Sequence, residues 1–233
     1  VTVEQFHNNE TKGVNVRILD LHDITNNSFR VVNQLVIKEN NQEKRLDVVI
    51  YINWLPLVII ELKNAMDESA TLHKAYTQIQ NYKTAVPSIF SYNALCIISD
   101  GLDARVSSVS APYSRYLAWK SPIKEEHTTL SEFQSLTQYM LDRYTLLHLI
   151  RYNTVFETEE IKNSTTWLLS LTKIKKIATY HQYYAVQKAV TQTLRATDEL
   201  EWDRKVWVVR HTQWSGKSLS MVFYAGQIVV QPE

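Results

Sequence analysis

Glycine is scarce in this chain, with four residues in 233 against the roughly 7% usual for globular proteins. Turns and close backbone approaches that favour a positive φ must therefore be built largely from other residues. Cysteine is scarcer still. Cys96 stands alone, which excludes an internal disulfide, and its place in the apolar run 94–98 reads as a buried small hydrophobe in a reducing cytosol. A cytoplasmic location is therefore expected. Long hydrophobic runs are missing: the longest, such as residues 55–60, are far too short for a bilayer, and the N-terminus has no basic stretch followed by an apolar core. No membrane partner is expected. Charge of one sign is not in excess, because 25 Lys and Arg face 24 Asp and Glu for a net +1; a globally basic nucleic-acid binder is excluded, and any DNA groove must be a local patch. What is present is an ordinary globular composition, 45% hydrophobic and 21% charged, enough for one full domain and part of another. No internal repeat or low-complexity tract interrupts it.

Residues 15–100 read mostly as strands, with 29–38, 46–52 and 57–62 rich in Val and Ile. Short polar breaks at 39–44 and at Asn53 and Trp54 predict hairpins, hence antiparallel pairing. Over 69–85 the spacing turns helical, placing Leu72, Ala75 or Tyr76, Ile79 and Tyr82 on one stripe, and Pro87 marks the end. An apolar strand at 94–99 stops at Asp100 and Gly101. Strand, helix, strand in that order implies a crossover helix packed on the sheet. Beyond Pro122, residues 130–141 and 145–152 carry helical spacing. The mixed Ser, Thr and Lys stretch 162–176 is taken as a linker at a domain boundary, followed by a helix at 181–196 and a short buried-type strand at 206–210.

The chemistry-bearing residues lie on the strands. Glu61 and Lys63 are two apart and so share a face. A hairpin turning at Asn53 and Trp54 brings Asp47 level with them. Two carboxylates can share a hard cation that keeps several waters, and a lysine beside them can orient the attacking water and screen charge, the set that phosphodiester hydrolysis uses. The alternative is an exposed edge-strand Glu and Lys with Asp47 as a turn residue. On the helix that follows, Gln78 and Tyr82 are four apart and stacked on one face, an amide and a phenol suited to phosphate oxygens, unless Tyr82 is ordinary core. Three other groups read as background: His22 with Asp20 and Asp23 as an exposed turn, His73 and His181 without ligand-spaced partners, and Lys173, Lys175 and Lys176 as a solvated linker face.

The stretch from Lys44 through Gly101, KRLDVVIYINWLPLVIIELKNAMDESATLHKAYTQIQNYKTAVPSIFSYNALCIISDG, resembles the nuclease domain of type I restriction enzyme R subunits, in the PD-(D/E)xK superfamily. HQYYAVQKAVTQTLRA and HTQWSGKSLSMVFYAG resemble the entry to that family's helicase-like motor. The resemblance implies an α/β fold: a PD-(D/E)xK restriction-endonuclease-like mixed sheet flanked by helices, then a helical linker, then the first strand and P-loop of a RecA-like domain. The expected divisions are an endonuclease domain at 1–150, the helical linker at 151–178 and the start of the motor at 179–233. It further implies that Asp47 and Glu61 hold Mg, that Lys63 is the catalytic lysine, and that Gln78 and Tyr82 form a Q-x-x-x-Y motif that places DNA. Gln182 matches an adenine-contacting glutamine, and Gly216, Lys217 and Ser218 match the ATP phosphate loop. The implied partners are double-stranded DNA and the methylation and specificity subunits of a restriction complex, with nonspecific cutting after ATP-driven translocation.

Some positions depart from the family pattern. Leu46 replaces the proline before the aspartate, Trp54 stands where a tight turn favours glycine, and Trp214 replaces a glycine of the phosphate loop. The acidic box for ATP hydrolysis, the second motor domain and a preceding acidic helix have no counterpart in the chain, which reads as an N-terminal fragment. Trp54 and Trp214 motivate a second reading, a catalytically weak or inert DNA-binding or assembly module. A third, a nucleotide-binding switch, rests on the C-terminal segment alone.

Overall fold

In the computed structural model, which describes residues 2–7, 10–15, 17–64, 71–162, 169–197 and 216–230, an antiparallel hairpin of β1 (Thr2–His7) and β2 (Glu10–Asn15) precedes the expected strands. The Val- and Ile-rich segments form β3 (Phe29–Glu39), β4 (Gln42–Ile52) and β5 (Leu55–Leu62), paired antiparallel in sequence order. Both connections are two-residue turns. Asn40 and Asn41 turn at φ of +49° and +60°, Asn53 and Trp54 at +49° and +67°, the left-handed pair that matches strand twist. The second turn is fastened by its asparagine. Asn53 Oδ1 accepts from Ser28 N at 2.7 Å, while Nδ2 donates to Ile18 O and Asn27 Oδ1, both at 2.8 Å.

Helix α1 (Leu72–Ala85) is capped by the Thr71 hydroxyl, which accepts from Lys74 N, and it ends ahead of Pro87. It buries Leu72, Ala75, Ile79 and Tyr82, the stripe predicted from spacing. The crossover returns the chain as β6 (Leu95–Ser99), parallel to β5, and β7 (Ala104–Ser107) closes the far edge antiparallel to β6. The result is a mixed five-stranded sheet in the order β3-β4-β5-β6-β7.

Period-two alternation divides this sheet between two cores. Ile59, Cys96 and Ile98 face α1, whereas Val58, Ile60, Leu95 and Ile97 face the opposite side. That opposite side is covered by the chain beyond residue 130. A capping box of Ser131 and Gln134 starts α2 (Glu132–Ser135), which runs into a π-helical turn over Leu136–Met140, and Asp142 caps α3 (Arg143–Tyr152). Helices α4 (Tyr180–Thr197) and α5 (Lys217–Ile228) follow. Tyr183, Val186 and Val190 of α4 and Phe223 of α5 share one buried cluster with Val58, Ile60 and Ile97 of the sheet.

The helical linker expected over 151–178 is corrected: past α3 it is an antiparallel ribbon of β8 (Thr154–Lys162) and β9 (Leu169–Ile177). Its β-branched Thr154, Val155, Thr158, Thr172, Ile174 and Ile177 fit a pleated surface better than a helix. Nor is Lys175 part of a solvated face. Its N–H donates to Ser110 Oγ at 2.8 Å, its carbonyl accepts from Ser108 and Ser110, and its ammonium donates to Asn93 O. Burial pushes the Lys175 ammonium pKa down. The strand expected at 206–210 and Trp214 lie outside the described residues. Among those described, no helix is long and apolar enough to cross a membrane.

Candidate active site

Register places the first carboxylate. Val48 of β4 lies opposite Ile60 of β5, so the next rung sets Asp47 beside Glu61. Leu62 N donates to Asp47 Oδ2 at 2.9 Å, and Gln34 Nε2 of β3 reaches Asp47 Oδ1 at 3.3 Å.

Glu61 ends the apolar run of β5 and is only 2% exposed, which overturns the reading of a solvated edge-strand glutamate. Lys63 Nζ lies 2.6 Å from Glu61 Oε1, while Oε2 is buried with no hydrogen-bond partner among the described residues. Burial pushes the Glu61 pKa up, and the Asp47 charge adds to this; Lys63 opposes both. Lys63 itself is steadied by its backbone, whose N–H donates to Ser99 O at 2.8 Å across to β6. Its side chain remains a quarter exposed, open to a substrate.

Helix α1 brings in the other pair. The Tyr82 hydroxyl donates to Arg45 O at 2.9 Å, tying α1 to β4 two residues before Asp47. Burial raises the phenol pKa far above its usual value; the Gln78 amide opposes this and Glu61 adds to it. Tyr82 is thus a donor rather than a base at neutral pH. Its hydroxyl is close enough to bias Glu61, yet it is directed to Arg45 and leaves Oε2 unpartnered. Tyr82 is also core, packing with Leu46, Val49 and Ile59, which is the second of its two sequence alternatives. Gln78, one turn earlier and half-buried, reaches the same hydroxyl.

Asp47, Glu61, Lys63, Gln78 and Tyr82 are therefore brought to one end of the sheet. A hard cation suits this donor set. An orphaned buried carboxylate oxygen and a second carboxylate on the neighbouring strand supply two anionic ligands, and Mg commonly takes one or two, filling its octahedron with water and phosphate. Among the described residues no group of three or more His, Cys, Asp or Glu could hold a metal ion, so such a cation would keep open positions. Sequence reasoning missed Gln34. Its one signal is the polar Asn33 and Gln34 pair interrupting the apolar run of β3.

The second set lies on the opposite side of the fold. Gln182, at the start of α4, is 3% exposed; its Oε1 accepts from Thr179 N at 2.9 Å and its Nε2 donates to Gly216 O at 3.1 Å. Gly216 precedes α5 at φ +76°, a left-handed conformation that favours glycine, and a Cβ there would stand 2.4 Å from Gln182 Nε2 and displace that amide. Lys217 and Ser218 are exposed in the first turn of α5, where amides and helix dipole favour a phosphate. The phosphate end of a nucleotide fits these residues. The adenine end fits less well, since both ends of the Gln182 amide are engaged within the protein. The cluster of Asp20, His22 and Asp23 is a capped turn: Asp20 Oδ1 accepts from His22 N and Asp23 N, both at 3.0 Å.

Comparison with known proteins places these residues in context. Residues 1–115 match the family described as the N terminus of the type I restriction enzyme R protein, and residues 181–233 match the SWI2/SNF2 ATPase family. Across its whole length the chain is 42% identical to the Type I restriction enzyme HindI endonuclease subunit of Haemophilus influenzae, covering 22% of that protein. A Methanocaldococcus jannaschii protein, provisionally named the type I restriction enzyme MjaIXP endonuclease subunit, is 29% identical over the whole chain and 23% of its own length. The Type I restriction enzyme SauMSSORF170P endonuclease subunit of Staphylococcus aureus is 28% identical over 94% of the chain and 21% of its own length. The chain thus spans about a fifth of the length of the curated relatives it matches.

Proposed function

We propose, for a chain that belongs through residues 1–115 to the type I restriction enzyme R protein N-terminal family, that Asp47, Glu61 and Lys63 form a Mg-dependent site of the PD-(D/E)xK kind that hydrolyses DNA phosphodiesters. The observation that carries this reading is Glu61 Oε2, buried and, among the described residues, without a hydrogen-bond partner beside Asp47 and Lys63. Burying a carboxylate with one oxygen unsatisfied is costly, and a shared cation offsets that cost.

Each residue has a distinct task. Glu61 and Asp47 would hold the ion through their carboxylates, and when bound it would supply positive charge against the phosphate oxygens and ease ionisation of a nearby water. Lys63, held by Glu61 Oε1, offers its remaining N–H groups to the attacking water and the phosphate. Gln78 presents an amide to the DNA backbone, and Tyr82 fixes α1 against β4 so that the amide stays at the site. Contacts of this kind to the DNA backbone carry no sequence information, in keeping with nonspecific cutting of duplex DNA. In the longer subunit, ATP held through Gly216, Lys217 and Ser218 would drive translocation, and methylation and specificity subunits would select the DNA.

Relaxation of supercoiled plasmid tests the site. Mg-dependent nicking is expected in the parent and a loss of at least about a hundredfold in Glu61→Ala and Lys63→Ala, the order expected when an electrostatic catalytic group is removed. Equal activity in those variants would remove the assignment. A parent that neither nicks nor binds Mn through its carboxylates would return the inert assembly module.

A further inference from the structure

Five residues other than glycine have a positive φ among those described. Four are the central residues of the two hairpin turns, where the conformation is required. The fifth, Gln34 at φ +50°, sits in the middle of β3. Glutamine is not among the residues that visit this region readily, and a strand interior gives it no turn to make. The left-handed conformation here has a local cost, so something nearby must hold it.

Gln34 stands at the rung of Asp47. The β3–β4 ladder pairs Asn33 with Val48 and Leu35 with Leu46, and between them Gln34 and Asp47 are not paired. Both strands lose phase at that rung. In β4, Leu46 and Val49 pack into the same core beside α1 although they are three residues apart, where strict alternation puts them on opposite faces. In β3 the inward positions run Phe29 and Val32, then Leu35 and Ile37. Phe29 packs on the α3-side core, Leu35 and Ile37 on the α1-side core. The irregularity delivers the Gln34 amide to Asp47 Oδ1 at 3.3 Å, while Leu62 N holds Oδ2 at 2.9 Å.

We infer that Gln34 is a positioning residue for the metal-holding carboxylate: its amide and the Leu62 N–H clamp the two Asp47 oxygens in the orientation the cation needs. The inference rests on the proposed role of Asp47 and Glu61. A group that orients a metal ligand is worth on the order of 10–100-fold in metal affinity when removed, whereas a residue that merely completes β3 affects folding alone.

Mn titration of the 233-residue protein, following the electron paramagnetic resonance of free Mn, separates the two. Gln34→Gly keeps the left-handed backbone at no steric cost and removes the amide; Gln34→Ala removes the amide and retains a Cβ. The expected result is that both variants weaken Mn binding alike, by about tenfold, while Gln34→Gly melts above Gln34→Ala. In plasmid nicking, the Mg concentration for half-maximal rate should rise in both variants, with the rate at saturating Mg nearly retained. Parental Mn affinity in Gln34→Gly overturns the inference and leaves the Asp47 and Glu61 site standing, whether or not Gln34→Ala is impaired. A parent whose Mn binding is indifferent to Asp47→Ala and Glu61→Ala overturns both.

Discussion

At the scale of single residues, burial of Glu61 costs stability that the proposed metal site would offset. Its pKa lies above the ordinary 4.5, chiefly through burial, so the folded protein keeps a proton that the unfolded chain has already released. Stability from this group is therefore fully present below about pH 4.5 and is lost as pH rises through the raised value. Glu61→Gln should accordingly melt above the parent near pH 8, the gap closing toward about pH 4, while nicking is abolished; calorimetry across that range reads it. Mg should raise the parent's melting temperature and leave the variant's unchanged. A Glu61→Gln protein melting below the parent near pH 8 would mean that pairing with Lys63 outweighs burial. Trp54 poses a smaller contest of the same kind. Its left-handed φ of +67° costs about 1–2 kcal/mol, and Arg30, 4.3 Å above its ring, returns about 0.5–1 kcal/mol. Glycine relieves the strain but has more chain entropy to lose. Trp54→Gly should thus gain up to about 1 kcal/mol in urea unfolding, and a clear loss would place the Arg30 contact above the turn.

At the scale of elements, α1 is a wall of the core and, in the proposed function, a carrier of the site, and the two roles can be separated. Tyr82→Phe keeps the ring in its core and removes the hydroxyl from Arg45 O. It should cost about 1 kcal/mol of stability and leave a backbone carbonyl short of a donor. Gln78→Ala, at a half-buried position facing the site, should stay within about 0.5 kcal/mol of the parent yet lower nicking, with most of the loss in DNA affinity. The reverse pattern, Gln78 destabilising and Tyr82 silent, would remove α1 from the site. These elements were legible in the sequence because each carried a strong period: Val and Ile runs for β3 to β5, the Leu72, Ala75, Ile79 and Tyr82 stripe for α1, and a turn that a paired Asn and Trp make despite lacking glycine. What was hidden had no period to read. Thr and Lys in the ribbon of β8 and β9 resemble linker composition, and its anchorage depends on Ser108 and Ser110, some 65 residues away in sequence. Gln34 shows no sign of its φ in its neighbours' identities. The orphaned Glu61 oxygen exists only once β5 is buried between α1 and its neighbouring strands.

At the scale of the whole molecule, the strands that carry Asp47 and Glu61 and the helices that carry Gln182 and Lys217 rest on opposite sides of one core. Val58, Ile60 and Ile97 of the sheet, Trp119 ahead of α2, Tyr183 and Val186 of α4, and Phe223 of α5 belong to a single buried cluster. A polar chain crosses the same seam, from Gln187 Nε2 to His148 Nδ1 of α3 at 3.4 Å and to Gln227 Oε1 of α5 at 3.3 Å. Two units that share a core lose stability together. Phe223→Ala, which empties a fully buried site in α5, should cost about 3–5 kcal/mol. That cost should appear in hydrogen exchange at the amides of β5 and β6 as well as those of α4, since one cooperative opening exposes both. Protection of β6 that stays parental while α4 and α5 exchange freely would instead divide the chain into separate folding units. Equal loss in both would mean that an event at Gly216 and Lys217 reaches the sheet through packed side chains, and the element nearest to receive it is β5, which ends on Glu61 and leads into Lys63.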